Sequence, residues 1–285
     1  MPSRPGNNDQ AELPLFGGSV SSPEAHAGRA RRRQNSRGVS RGAAGGLRCR
    51  PVHDDDDASA AATELHDAKQ ALRDACWASI RSHGVARFPG VEGRIPNFVG
   101  AEAAAARLAE QPWFVAARAL KINPDSPQRP VRHAALKAGK ILVFPVPRLA
   151  DADLFLLLDP EELPPGSLWH ASSAKGAMEL GRPVGVDGVP SLDLIVTGCV
   201  GVTRRGARLG KGGGYSDIEY ALLREAGRVG PDTLIVSTVH SAQLLPDGSV
   251  PMTAHDISLD HVVTESELID CRRAFDRPTG LLDDH

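Results

Sequence analysis

The chain has little of most things that would fix its chemistry quickly. Of its 285 residues, four are cysteine, three tryptophan and two tyrosine. Cys49, Cys76, Cys199 and Cys271 stand far apart. No pair has zinc-ligand or dithiol spacing, and no His-x-x-x-His or Cys-His cluster supports zinc, so a reducing compartment is expected. No uninterrupted apolar run is long enough to span a bilayer. The first residues lack the apolar core of a secretory signal, and acidic residues and prolines intrude on any transit-peptide pattern. A cytoplasmic protein that leaves membranes alone is therefore expected. Charge of one sign is missing too. Lys and Arg number 33 against 35 Asp and Glu, a formal net charge of −2, so no global basic bias demands nucleic acid.

Residues 1–58 are poor in aromatic and branched apolar side chains. They carry an Arg-rich stretch from Arg29 to Arg50 and then the acidic run Asp54, Asp55, Asp56 and Asp57. Opposite-sign blocks without apolar periodicity read as a disordered tail. An RNA contact through the arginines is the weaker reading beside a solvated one. Residues 59–271 have the size of a single α/β domain, and 272–285 read as a loose C-terminal tail.

Within the domain, Leu65, Ala68, Leu72, Cys76 and Ile80 make one stripe and predict a helix over 59–83. Lys69 and Arg73, four apart, share a face of it. An Ala-rich helix is expected at 101–110, stopped by Pro112, then a strand at 114–122 and a helix at 131–138 begun by Pro130. Apolar runs at 141–146, 154–158, 192–200 and 234–239 read as strands buried on both faces, with a helix at 216–227 and a short strand at 261–264. This alternation predicts a three-layer α/β sandwich with a mostly parallel, Rossmann-like sheet, and ligands at the carboxyl ends of its strands.

What the chain does have is Gly206-Ala-Arg-Leu-Gly-Lys-Gly-Gly-Gly-Tyr-Ser-Asp217. Five glycines let backbone N–H groups converge on one anion. Arg208 and Lys211 add charge, and the helix start behind them adds unpaired N–H groups. Phosphate binding explains this density better than a surface turn. The loop is neither of the common nucleotide motifs. Arg205 stands where a Walker A loop needs glycine, and Tyr215 where a Rossmann fingerprint needs one. Downstream, Asp256 and Asp260 precede the 261–264 strand, and paired carboxylates near such a loop suit Mg²⁺. Glu219 reads either as an aid to the metal or Lys211, or as a carboxylate favoured by the helix dipole. Cys199, His240, His255, Trp77 and Trp113 read as core or loop residues, while the segment that Trp169 begins is a candidate wall for a planar ligand.

Three blocks in this order resemble the 5-formyltetrahydrofolate cyclo-ligase (methenyltetrahydrofolate synthetase) family. They are Lys69-Gln-Ala-Leu-Arg73, the glycine loop 206–217, and Asp256-Ile-Ser-Leu-Asp-His-Val-Val-Thr-Glu265. The resemblance spans about 65–266 and leans toward the branch of methenyltetrahydrofolate synthetase domain-containing proteins. It implies an enzyme dependent on ATP and Mg²⁺. In that reaction the formyl oxygen of 5-formyltetrahydrofolate attacks the γ-phosphate, and N10 then captures the activated carbon to give 5,10-methenyltetrahydrofolate. It also implies site roles. Lys69, Arg73 and Arg208 would hold phosphates, and Leu209, Gly210, Lys211, Gly212, Gly213 and Gly214 would wrap them. Tyr215 would pack at the phosphate or folate side, with Arg208, Lys211 and Tyr215 as the catalytic set. Asp217 and Asp256 would hold Mg²⁺. The chain departs from the family pattern at Ser216 and Ile218, where a second Tyr and an Arg are usual. The Glu-Val-x-Thr stretch that helps seat the pterin is replaced by Ile95-Pro-Asn-Phe98 and Lys121-Ile-Asn-Pro124. The alternatives are a nucleotide-binding paralogue without ring closure, regulatory or RNA-associated, and an ATP-dependent enzyme acting on another heterocycle. A monomer or homodimer is expected.

Overall fold

The computed structural model describes residues 54–146, 154–272 and 274–281. The Arg-rich stretch, Cys49 and nearly all of the expected N-terminal tail lie outside them. The chain opens with helix α1 (Asp54–Ser82), followed by α2 (Ala101–Ala109) and α3 (Pro112–Ala116). Then come β1 (Ala119–Ile122), α4 (Arg129–Lys137), β2 (Ile141–Pro145), β3 (Phe155–Leu158), α5 (Leu168–Ala171), α6 (Ala174–Leu180) and β4 (Arg182–Val184). The second half runs β5 (Leu192–Val196), β6 (Gly201–Thr203), β7 (Arg208–Leu209), α7 (Tyr215–Glu225), β8 (Val229–Thr238), β9 (Leu244–Leu245), β10 (His261–Val263) and β11 (Leu268–Asp270).

Eight strands form one sheet in the order β11-β10-β8-β5-β1-β2-β3-β4. Its centre, from β10 to β2, is parallel, and the flanking pairs are antiparallel. The fold is therefore α/β with a mostly parallel sheet, as the alternation of apolar runs predicts. Strand periodicity explains its two cores. Leu120, Ile122, Leu142, Phe144, Leu194 and Val196 point to one face and pack against α2 and α4. Ala119, Val143, Ile195 and Ile235 point to the other and meet Tyr220 and Leu223 of α7. Side chains alternate across a strand, so a continuous apolar run fills both layers at once. The chain leaves β1 toward α4 on one face and leads from β5 to α7 on the other. Adjacent strands whose connections depart to opposite faces make a crevice at their carboxyl ends.

Two expectations are corrected. Of the strand expected at 114–122, only Ala119–Ile122 is extended, and the first part is α3. Pro112 lies in the first turn of that helix, where its fixed φ and missing N–H cost nothing, so it begins one helix as well as ending another. The strand expected at 192–200 stops at Val196. A small separate sheet, β7-β6-β9, then intervenes before the glycines. Gly206 belongs to its turn rather than to a phosphate loop. Its φ of 83° is left-handed, and a Cβ there would lie 2.4 Å from the Leu259 carbonyl oxygen, so only glycine fits. Of the C-terminal stretch, Arg277 reaches Asp260 at 2.8 Å, and the Phe275 carbonyl accepts from Ser258 Oγ at 3.1 Å.

One buried cation fixes the loop after β1. Arg132 of α4 is 1% exposed. Its guanidinium donates to the carbonyls of Asn123, Asp125 (3.1 Å) and Ser172 (2.7 Å). Burial pulls its pKa down to about 9, against the pull of Asp125. Replacing Arg132 by Leu leaves three carbonyls without this donor in a dry setting. A loss of ~2–4 kcal/mol is expected, read as a lowered denaturant midpoint at unchanged m. A variant as stable as the parent would show that these bonds hold nothing.

Candidate functional site

The crevice at the carboxyl ends of β1, β2 and β5 holds a cavity of about 140 Å³. Asn123, Pro124 and Asp125 line it from the β1 loop, Pro145 and Val146 from the end of β2, and Gly198 from the β5 loop. The glycine loop closes the remaining side with Arg208, Gly210, Lys211, Gly213 and Gly214, and the first turns of α7 add Tyr215, Ser216, Asp217 and Glu219. Gly214 caps α7 with a φ of 65°. The unpaired N–H groups of the helix start thus stand beside the cavity, where an anion is favoured.

A buried ion pair sets the shape of the loop. Arg208, on β7, is 4% exposed and donates to Asp217 Oδ1 at 2.5 Å. The same oxygen accepts from the Ile257 N–H at 3.0 Å. Asp217 therefore joins three segments, namely the strand before the glycines, the helix after them, and the turn that carries Asp256. Two further bonds come from α1. Arg73 Nε donates to the Gly210 carbonyl at 2.9 Å, and Lys69 Nζ to Asp256 Oδ2 at 2.7 Å. Burial pulls the Arg73 guanidinium down, against the pull of Asp256. Burial pushes the Asp256 carboxyl up, but the bonds from Lys69 and Thr253 outweigh it and hold the group below its ordinary value.

The residues singled out in the sequence thus fall into three groups. Arg208, Lys211, Gly210, Gly213, Gly214, Tyr215 and Asp217 line the cavity directly. Lys69, Arg73, Gly212 and Asp256 form the layer behind the loop, with the Arg73 guanidinium lying along Gly212. Leu209 contributes backbone only. Its side chain is buried in an apolar cluster with Ala207 and Val250, and its carbonyl accepts from Val200 at 2.7 Å. Lys211 is half-exposed, 3.7 Å from Asp125. Asp260 does not join Asp256 as the spacing suggested. It is buried, accepting from the Ile235 N–H at 2.7 Å and pairing with Arg277. Among the described residues, no three or more His, Cys, Asp and Glu side chains converge as a metal cage. Cys199 is fully buried, and burial raises its thiol to about 11, so it is no nucleophile. His240 caps a short turn through Nδ1, accepting from Ala242. Trp169 lies under Arg129 and does not line the cavity.

Sequence reasoning missed the polar floor of the cavity. Lys121 of β1 is 1% exposed and contacts Glu219 Oε2 of α7. Its ammonium also donates to Asn123 Oδ1 at 2.8 Å, and Asn123 Nδ2 donates in turn to Ser216 Oγ at 2.8 Å. The signal was present. A lysine inside Ala119-Leu-Lys-Ile122, a strand buried on both faces, needs a carboxylate partner.

Three comparisons bear on this arrangement. Residues 65–265 match the model of the 5-formyltetrahydrofolate cyclo-ligase family. The methenyltetrahydrofolate synthase domain-containing protein of Mus musculus is 38% identical over 219 residues, covering 75% of this chain and 58% of its own length. The Homo sapiens protein of that name is 34% identical over 220 residues, 75% of this chain and 56% of its own. The chain thus spans a little over half the length of these curated relatives. The mitochondrial 5-formyltetrahydrofolate cyclo-ligase of Arabidopsis thaliana is 37% identical over 82 residues, 27% of this chain and 29% of its own. Among solved structures, the 5,10-methenyltetrahydrofolate synthetase of Aquifex aeolicus superposes with a TM-score of 0.47 at 23% identity, covering 73% of this chain and 95% of that one.

The Lys69–Asp256 pair predicts a pH dependence. A depressed folded-state carboxyl contributes its full stability above the unfolded value of 3.8. As pH falls below that, the unfolded chain takes up the proton first and the contribution is lost. Thermal unfolding at pH 6 and pH 3 should therefore show a larger drop in the parent than in Lys69→Met. Equal drops would show that Lys69 does not hold the carboxylate.

Proposed function

The chain belongs to the 5-formyltetrahydrofolate cyclo-ligase family, and from that premise we propose that it is an ATP- and Mg²⁺-dependent cyclo-ligase converting 5-formyltetrahydrofolate to 5,10-methenyltetrahydrofolate. The observation that carries the reading is a crevice at the strand ends whose wall is a glycine loop and a helix start, braced by Arg208, Arg73 and Lys69.

Phosphoryl activation of a formyl oxygen asks for position and charge neutralisation, and no protein nucleophile is required. The loop N–H groups and the start of α7 would bind the phosphates. Arg208, reaching the cavity from β7, would neutralise charge developing there. Lys211, half-exposed at the rim beside Asp125, would turn onto the outermost phosphate, and Tyr215 would cover the reacting end against water. Gly210 is held by Arg73, so that part of the loop is shaped before a ligand arrives and less ordering is left to do on binding.

Asp217 and Asp256 fit Mg²⁺. Each uses one carboxylate oxygen in the bonds described above, and the Asp217–Ile257 bond ties Asp217 to the residue next to Asp256 in sequence. Mg²⁺ is held by one or two carboxylates together with substrate phosphates rather than by a complete protein cage, so a pair of carboxylates is enough to offer it. When bound, the ion would offset phosphate charge.

The test is the absorbance of 5,10-methenyltetrahydrofolate with the purified chain, 5-formyltetrahydrofolate, ATP and Mg²⁺. ATP-dependent growth of the band is expected, falling at least a hundredfold in Arg208→Gln and Asp217→Asn, as for loss of one electrostatic contact to a transition state. No growth in the parent, with thermal stabilisation by ATP retained, would replace this reading with the nucleotide-binding paralogue.

A further inference from the structure

We propose that Glu219 and Ser216 form the recognition edge of the cavity for a 2-amino-4-oxo heterocycle, the face shared by pterins and guanine, and that buried Lys121 is the positioning residue that holds Glu219 in place. The inference rests on the folate reading above for its choice of ligand, and on geometry for its residues. Two lining side chains, Asn123 and Ser216, belong to one hydrogen-bonded chain that starts at Lys121, and a third, Glu219, pairs with the same ammonium.

The donors and acceptors of that chain can be assigned. The Lys121 ammonium donates to Asn123 Oδ1, which fixes the amide so that Nδ2 faces Ser216. Nδ2 also approaches Thr197 Oγ1 at 3.5 Å. Ser216 Oγ accepts from Asn123, which leaves its own proton available to donate to a ligand. Glu219 is 9% exposed. Its Oε2 lies against the Lys121 ammonium, yet no hydrogen-bond donor is aligned on that atom. Ser216 and Glu219 are three residues apart on α7 and share a face. The cavity therefore offers one O–H donor beside one carboxylate acceptor. The matching ligand edge carries a carbonyl beside N–H donors, as a 2-amino-4-oxo ring does. A buried cation that served stability alone would be satisfied by Asn123 and Glu219 on the protein side. Here the carboxylate it supports lines the cavity.

The mismatch is costly in one direction. A site that hydrogen-bonds a particular edge rejects a ring lacking it, because its own buried groups are then left unpaired. Lys121 adds a second condition. Its ammonium lies against one carboxylate oxygen of Glu219 and fixes where that acceptor stands, so the site selects N–H groups over carbonyls at that point.

The experiment measures equilibrium binding of 5-formyltetrahydrofolate, guanosine and ATP by calorimetry, alongside thermal stability, for the parent chain, E219Q and the charge-swapped K121E/E219K. Binding of at least one of the two heterocycles by the parent is expected. E219Q should weaken it at least tenfold with ATP affinity changed less than twofold. The charge swap keeps an ion pair across the floor but presents a cation to the ligand. It should recover stability without recovering heterocycle binding. Heterocycle affinity unchanged in E219Q, or restored together with stability in the swap, would overturn the proposal and mark the pair as structural. So would a parent that binds neither heterocycle. Heterocycle binding without any turnover would sink the cyclo-ligase reading and leave this one standing, and guanosine preferred over the folate would assign the edge to a purine.

Discussion

The pinch between Arg208 and Asp217 is the constraint on which the rest of the site depends. The two residues stand on either side of the glycines, and their bond closes that stretch into a fixed loop. Without it, four glycines in five residues would sample far more backbone states than any ligand could afford to order. The pair is buried, and burying two charges is expensive unless each finds further partners. Asp217 finds one in the Ile257 N–H, while Arg208 lies near the Gly198 carbonyl and lines the cavity. A bond that is only moderately favourable for stability is thereby positioned where phosphate charge would be welcome. The loop is rigid because its ends are pinned.

Local balance of charge follows from the same arrangement. The cations near the loop, Lys69, Arg73, Arg208 and Lys211, stand against the carboxylates Asp125, Asp217 and Asp256. A site so nearly neutral can fold without an anion in place, since no positive charge is stranded in a dry interior. On the proposed function the same pairing would rank ligands, since a lone phosphate would compete with carboxylates already seated, whereas a polyphosphate with a divalent ion would bring charge of both signs.

Much of this was legible in the sequence, and the gaps have physical causes. The buried strands, the crevice at their ends and the glycine loop that lines it followed from apolar runs, glycine density and the order of segments. Arg73 and Lys69 were placed by resemblance, since two cations on a helix face are more often solvated. Their bonds to Gly210 and Asp256 depend on a packing that no local pattern encodes. The strand taken to run through 114–122 failed because Trp113, Phe114 and Val115 suit either state, and Pro112 decided for helix. Asp256 and Asp260 look equivalent four residues apart, yet only the first faces the loop, because Asp260 is claimed by the Ile235 N–H and Arg277. Lys121 was readable as a buried charge in need of a partner, but sequence alone did not say which carboxylate would supply it.

The bond between Lys69 and Asp256 joins residues 187 positions apart, and that separation governs when the site comes into being. A ribosome would release the first helix, the central strands and the glycine loop well before the turn that carries Asp256. Until that turn emerges, Lys69 has no carboxylate and Asp217 lacks the Ile257 N–H. Contacts of such long span form late and slowly. A growing chain would therefore bury most of its core before the site could close, and closure of the loop would report completion of the fold rather than its beginning.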